Sequence, residues 1–114
     1  MQNKVKYRKK QGGAPVRSVP EKETLTHIAE LFKGFADPTR VQILCLLLTQ
    51  EELCVSEITL QTDVSQSAVS HQLRLLKEMH LIKSRREGKN MHYSLADDHV
   101  KTILQMGLEH VLCE

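Results

Sequence analysis

Hydrophobic positions along the chain group into five helical stretches and one alternating stretch. From Thr24, the residues Leu25, Ile28, Ala29, Leu31, Phe32 and Phe35 recur at helical spacing and predict a first helix. Asp37-Pro38 follows, an N-cap residue before a proline at the first helical position. The run Val41, Ile43, Leu44, Cys45, Leu46, Leu47, Leu48 predicts a second helix that is apolar nearly all round, hence central and buried. Ser56 to Gln61 reads as a short helix of about two turns capped by Ser56, and Asp63-Val64-Ser65 breaks the pattern. Ser65 then opens a longer amphipathic helix with Val69, Leu73, Leu76 and Met79 on its inner side. A short helix, a tight turn and a longer helix make a helix-turn-helix. Leu81–Arg86 and Met91–Leu95 alternate around the turn Glu87-Gly88-Lys89-Asn90 and predict a β-hairpin. A last helix runs from about Asp97-Asp98 to the end, with Val100, Ile103, Leu104, Leu108, Val111 and Leu112 on its apolar side. The predicted class is mainly α with one small hairpin, a winged helix-turn-helix.

Residues 1–22 lack this periodicity and contain Gly12, Gly13, Pro15 and Pro20, so they read as a flexible basic arm ahead of a domain over 23–114. Charge sharpens that division. The formal net charge is only +2, but residues 1–23 hold seven basic side chains against Glu21 and Glu23. Residues 24–114 carry a net −3, within which residues 65–90 carry +4. A local basic stretch on an acidic body can present a face to a polyanion. Aromatic residues make up 4% and tryptophan is absent, so the core is built from Leu, Ile, Val and Ala. A chain of 114 residues buries a modest share of its surface, and an oligomer would stabilise it. No apolar run is long enough to span a bilayer, and no apolar stretch follows the basic N-terminus as in a signal peptide. The three cysteines, Cys45, Cys54 and Cys113, are odd in number and widely spaced, which fits a reducing cytoplasm rather than a disulfide framework.

On the longer helix of the pair, Gln66, Ser67, Ser70, His71 and Arg74 point outward as short or medium hydrogen-bonding groups. A helix entering a major groove needs such side chains to reach base edges and phosphates. A solvated helix face would look similar on its own. Arg85, Arg86 and Lys89 in the hairpin sit where a wing would flank a duplex, and the two features together favour DNA binding.

Three segments, Phe35–Leu44, Glu52–Ile58 and Ser65–Leu73, in this order and spacing resemble the ArsR/SmtB family of bacterial winged-helix repressors, most of them metal sensors. The likeness covers residues 24–114. It implies a homodimer through the first and last helices, bound to double-stranded operator DNA and released when an inducing metal binds.

One inducer location in that family lies in the segment resembling Leu53–Glu57, where soft-metal sensors have Cys-Val-Cys. Here Ser56 stands at the second position and residues 1–44 contain no cysteine. A lone Cys54 thiol cannot make the multi-thiolate shell a soft ion prefers, and Cys45 falls inside the apolar second helix.

The last helix is more informative. At about 100° per residue, His99 and His110 differ by only about 20° around the axis but lie roughly 16 Å apart along it. One chain cannot bring both to one ion; two antiparallel copies can. Asp97 beside His99, with Cys113 one turn after His110, gives a shell of Asp97 and His99 from one chain and His110 and Cys113 from the other. Glu114 is a rival to Cys113. One oxygen, two nitrogens and one sulfur suit Zn²⁺, and the thiolate adds affinity for Co²⁺, Cd²⁺ or Cu⁺. The family's zinc sensors carry an Asp-x-His, a later His and a final Glu or His, so Cys113 departs from that pattern. Asp97 or Asp98 could instead simply cap the helix. Rival readings are a thiol- or oxidant-responsive repressor using Cys54 or Cys113, and an interaction module without metal sensing. No nucleophile–base pair stands out, and the chain does not read as an enzyme.

Overall fold

The structure, a computed structural model, describes residues 17–113. Residues 1–16, which hold most of the expected basic arm, and Glu114 lie outside the described residues. The first helix, α1 (Lys22–Lys33), begins within the last residue assigned to the arm and buries no side chain. Leu25, Ile28 and Phe32 on it stay exposed.

A short turn leads to α2 (Pro38–Gln50). Asp37 is its N-cap, accepting a hydrogen bond from the Arg40 N–H at 3.0 Å, with Pro38 in the first turn. Ile43, Leu44 and Leu47 are buried, so α2 is the central helix its apolar pattern predicts. Cys45 is half-buried against this core rather than enclosed in it.

The next segment differs from expectation. Leu53–Cys54 form a two-residue strand, β1, and α3 (Val55–Leu60) starts from Cys54 as N-cap, not from Ser56. The reason is local. The Glu57 carboxylate reaches back to accept from the Cys54 N–H at 2.9 Å, closing the first turn two residues earlier. Ser65 caps α4 (Gln66–Glu78) by accepting from the Ala68 N–H at 3.1 Å, and Val69, Leu73 and Leu76 face inward.

The hairpin comprises β2 (Ile82–Glu87) and β3 (Asn90–Leu95), and α5 (Asp98–Leu112) closes the fold. The turn is two residues, and Gly88 opens it at φ 64°, a conformation a glycine adopts without steric cost. β1 adds to β3, giving an antiparallel sheet ordered β1-β3-β2. Leu53 pairs with Tyr93 and Cys54 with His92, while Arg85 pairs with His92 from the other side. The core joins α2, α3 and α4 to Leu81, Ile82 and Leu95, with Val100 and Leu104 of α5 completing it. Gly34 ends α1 where a Cβ would run into the Leu81 side chain and press on Met79 Sδ, so the α1–α2 turn can sit directly on the α4–β2 junction. This is a winged helix-turn-helix, with α3 and α4 as the pair and β2–β3 as the wing.

Candidate nucleic-acid interface and metal-donor positions

Helix α4 presents Gln66, Ser67, His71 and Arg74 to solvent, with Ser70 half-buried beside them. Burial of Val69, Leu73 and Leu76 on the opposite side fixes this orientation. The Ser67 hydroxyl lies 3.2 Å from that of Ser65 at the helix start. Two further side chains tie α4 to the rest of the fold. Lys77 Nζ donates to Ser84 Oγ of β2 at 2.7 Å, and Gln72 Oε1 accepts from Arg40 Nη1 at 3.3 Å. Arg40 also donates through Nε to the Gly34 carbonyl (3.3 Å) and through Nη2 to the Lys33 carbonyl (3.0 Å). It therefore links the C-terminal end of α1, the start of α2 and α4. Sequence reasoning passes over Arg40, because its partners are backbone carbonyls and a residue 32 positions away.

On the wing, Arg86 and Lys89 are exposed. Arg85 is placed differently. Its Nε and Nη2 each lie 2.8 Å from the two Glu52 carboxylate oxygens, and its Nη1 is 3.2 Å from Glu87 Oε1. His92 Nε2 lies 3.5 Å from the same Glu87 oxygen. The hydrogen bond from Arg85 holds the Glu52 carboxyl below the usual carboxylate range, and Glu52 in turn raises the Arg85 guanidinium. Glu57 is lowered first by the Cys54 backbone N–H it accepts from.

Of the candidate metal donors, His99 and His110 lie on α5 and Asp97 and Cys113 are its two cap residues. Asp97 is the N-cap, accepting from the Val100 N–H at 3.1 Å, so the capping role expected as an alternative is the one it plays in this protomer. Its second oxygen lies 3.8 Å from His99 Nδ1, and both side chains are largely exposed. His110 and Cys113 stand exposed at the opposite end. The first pair meets within one chain; the two pairs do not. Among the described residues no three Cys, His, Asp or Glu side chains come close enough to hold an ion.

Comparison with known proteins places the fold in a family. A sequence model of the family described as "Bacterial regulatory protein, arsR family" matches residues 37–84, from the cap of α2 through the start of the wing. A cadmium resistance transcriptional regulatory protein CadC homolog from Staphylococcus aureus is 39% identical over 78% of this chain and 74% of its own length. The chain belongs to the ArsR family. A transcriptional repressor SmtB homolog from Synechocystis sp. is 45% identical over 74% of the chain, which spans 63% of that relative's length. Among solved structures, the homodimeric winged helix-turn-helix DNA-binding domain Mb0332 from Mycobacterium bovis superposes with a TM-score of 0.73 at 30% identity, covering 89% of this chain and 94% of that one. These are regulators, not enzymes. Among the described residues of this ArsR-family chain no helix is long and apolar enough to cross a membrane.

Proposed function

We propose that this chain is a homodimeric, metal-responsive repressor that holds operator DNA in its apo form and releases it when zinc binds across two α5 helices. The observation that carries this reading is the exposed stripe of α5. At about 100° per residue, His99, Ile103, Met106, His110 and Cys113 fall within a sector about 80° wide. Met106 on this stripe is 60% exposed, an apolar side chain with nothing over it in one protomer. An antiparallel register that sets His99 against His110 of a second copy also sets Ile103 against Met106. One register thus satisfies the apolar centre and the polar ends together. The exposed Leu25, Ile28 and Phe32 of α1 supply further apolar surface for the same association.

Fit to the ion rests on the donors themselves. Asp97 and His99 already lie together at one end of the helix, exposed and able to turn outward. His110 and Cys113 at the other end would complete two equivalent sets in a two-fold dimer. Glu114 is the alternative to Cys113. When bound, zinc supplies a four-coordinate cross-link between the two helices; Co²⁺, Cd²⁺ and Cu⁺ are the competing ions. To join such a set, Asp97 would give up part of its hold on the Val100 N–H. His99 and His110 would draw the two α5 helices into one spacing. Because α5 packs on α2 and β3, that spacing is passed to the α4 helices and the wings.

Gln66, Ser67, Ser70, His71 and Arg74 would read and hold the duplex, Arg86 and Lys89 would engage phosphates from the wing, and the basic arm over residues 1–22 would add phosphate contacts. By linkage, zinc must weaken DNA binding by the same factor as DNA weakens zinc binding.

Co²⁺ titration tests the shared site. Wild type is expected to bind one ion per protomer with tetrahedral absorption bands, and His99→Ala and His110→Ala each to lose them. Mixing the two variants should restore about one quarter of the wild-type signal, since half the dimers are mixed and each holds one intact set. No restoration on mixing would place all donors in one chain and defeat the reading. The exposed Cys113 thiol also supports an oxidant-responsive regulator. Release of DNA by peroxide under chelation, with no effect of zinc, would select that alternative.

A further inference from the structure

Strand alternation places Arg85 and Glu87 of β2 on one face of the sheet with His92 of β3 and Cys54 of β1. Because the strand order is β1-β3-β2, β2 and β1 are the two edges, about 10 Å apart by two strand spacings. Glu52 immediately precedes β1. The Arg85 side chain therefore crosses over the central strand and joins both edges of the sheet. It does so in the strongest geometry available to it, a two-point contact with one carboxylate at 2.8 Å for each bond. Glu87 takes the remaining terminal nitrogen. Arg86 points to the opposite face, and neither it nor Lys89 has a hydrogen bond or ion pair among the described residues.

The far end of this bridge is mechanically important. Glu52 sits in the loop between α2 and β1, and β1 runs without a break into α3, whose first turn is fixed by Glu57 on the Cys54 N–H. Arg85 thus fastens β2 of the wing to the start of the helix-turn-helix.

We propose that Arg85 is a wing-positioning residue, held by Glu52 and Glu87, which sets the β2–β3 hairpin relative to α3 and α4 and does not itself contact the duplex. The proposal rests on the reading of α4 and the wing as the nucleic-acid face. It has a counterintuitive consequence: Glu52, an acidic side chain, promotes binding to a polyanion.

The test uses the full-length apo dimer and a duplex selected in vitro by the wild-type chain, with affinity read by fluorescence anisotropy across a series of NaCl concentrations. Glu52→Gln and Arg85→Gln are each expected to lose about five- to tenfold in affinity while keeping the wild-type salt slope. Arg86→Gln, a phosphate ligand on this account, should lower the slope by about 1.8, because one contact of about 0.9 is lost from each protomer of the dimer. The exchanged pair Glu52→Arg/Arg85→Glu should recover at least half of the lost logarithmic affinity, which also shows that the losses are not misfolding. If Glu52→Gln binds equally or more tightly, or if Arg85→Gln lowers the slope as Arg86→Gln does, Arg85 is a phosphate ligand and the proposal fails. If Arg74→Gln and Arg86→Gln change neither affinity nor slope, the nucleic-acid face itself is wrong, and the proposal falls with it.

Discussion

Replacing Arg40 with alanine removes three side-chain hydrogen bonds at once: to the Lys33 carbonyl, the Gly34 carbonyl and Gln72 Oε1. Helix α1 buries no side chain fully and packs on the core through the partly buried Leu31 and the close approach at Gly34, so the Arg40 bonds are a substantial part of what fixes its direction. Two of the lost bonds also satisfy carbonyls at the C-terminal end of α1, where a cation is favoured by the helix dipole. A hydrogen bond is worth about 0.5–1.5 kcal/mol net, and more when the donor is charged. The bonds here are 3.0–3.3 Å long and partly exposed, which argues for the lower half of that range. The sum is about 2 kcal/mol. With a urea dependence of about 1–3 kcal/mol per molar, the unfolding midpoint should fall by about 1 M. The comparison must hold protein concentration fixed, because the proposed association would contribute to the apparent stability. Arg40→Lys should recover less than half, since one ammonium cannot span three acceptors in a fixed plane. A midpoint within 0.2 M of wild type for Arg40→Ala, roughly the effect of an ordinary surface change, would refute the reasoning, as would full recovery by lysine.

Gly34→Ala should destabilise by about 1–3 kcal/mol by overpacking. Gly34 has φ −64°, so the cost is steric alone, against the fully buried Leu81; a thermal melt matching wild type would contradict it. Thiol labelling with an aromatic disulfide at pH 8 under chelation should modify Cys113 first and Cys45 last, because Cys113 is exposed while burial pushes the Cys45 thiol up. Equal rates for these two would be inconsistent with the packing of α2. The Glu57 carboxyl is depressed in the folded state, so its stabilising effect is present above the unfolded value of about 4.3 and is lost as pH falls through the lower folded value. Glu57→Gln should therefore be less stable than wild type at pH 6, with the difference shrinking steadily as pH falls below the unfolded value of about 4.3; a difference that does not depend on pH would assign the effect to packing.

The helices and the wing are legible in the chain because each has its own period. Helix α4 turns Val69, Leu73 and Leu76 inward at helical spacing, and β2–β3 alternate about a glycine turn. β1 is only two residues long, too short to leave a period, and the cap of α3 moves from Ser56 to Cys54 through a hydrogen bond that apolar patterning does not encode. Leu25, Ile28 and Phe32 have the spacing of a buried face yet remain exposed in the protomer, and on the proposed function a second copy would cover them. The same holds for the proposed donors: helical geometry puts His99 and His110 on one side of α5, but the proposed site needs a second copy to bring them together. Arg85 pairs with a carboxylate 33 residues away, and Arg40 with an amide 32 residues away. Contacts of that range are a property of the fold, and no local pattern announces them.

The central claim is a thermodynamic link between the α5 donors and the DNA-binding face. Its most direct test is anisotropy of the selected duplex at fixed ionic strength, first with chelator and then with added Zn²⁺, for wild type and the His99→Ala/His110→Ala double variant. Couplings of about 1–3 kcal/mol correspond to roughly 5- to 150-fold. Zinc should weaken wild-type binding by a factor in that range and leave the double variant at its apo affinity. Equal affinity with and without zinc in the wild type, while both proteins still bind the duplex, would contradict the claim.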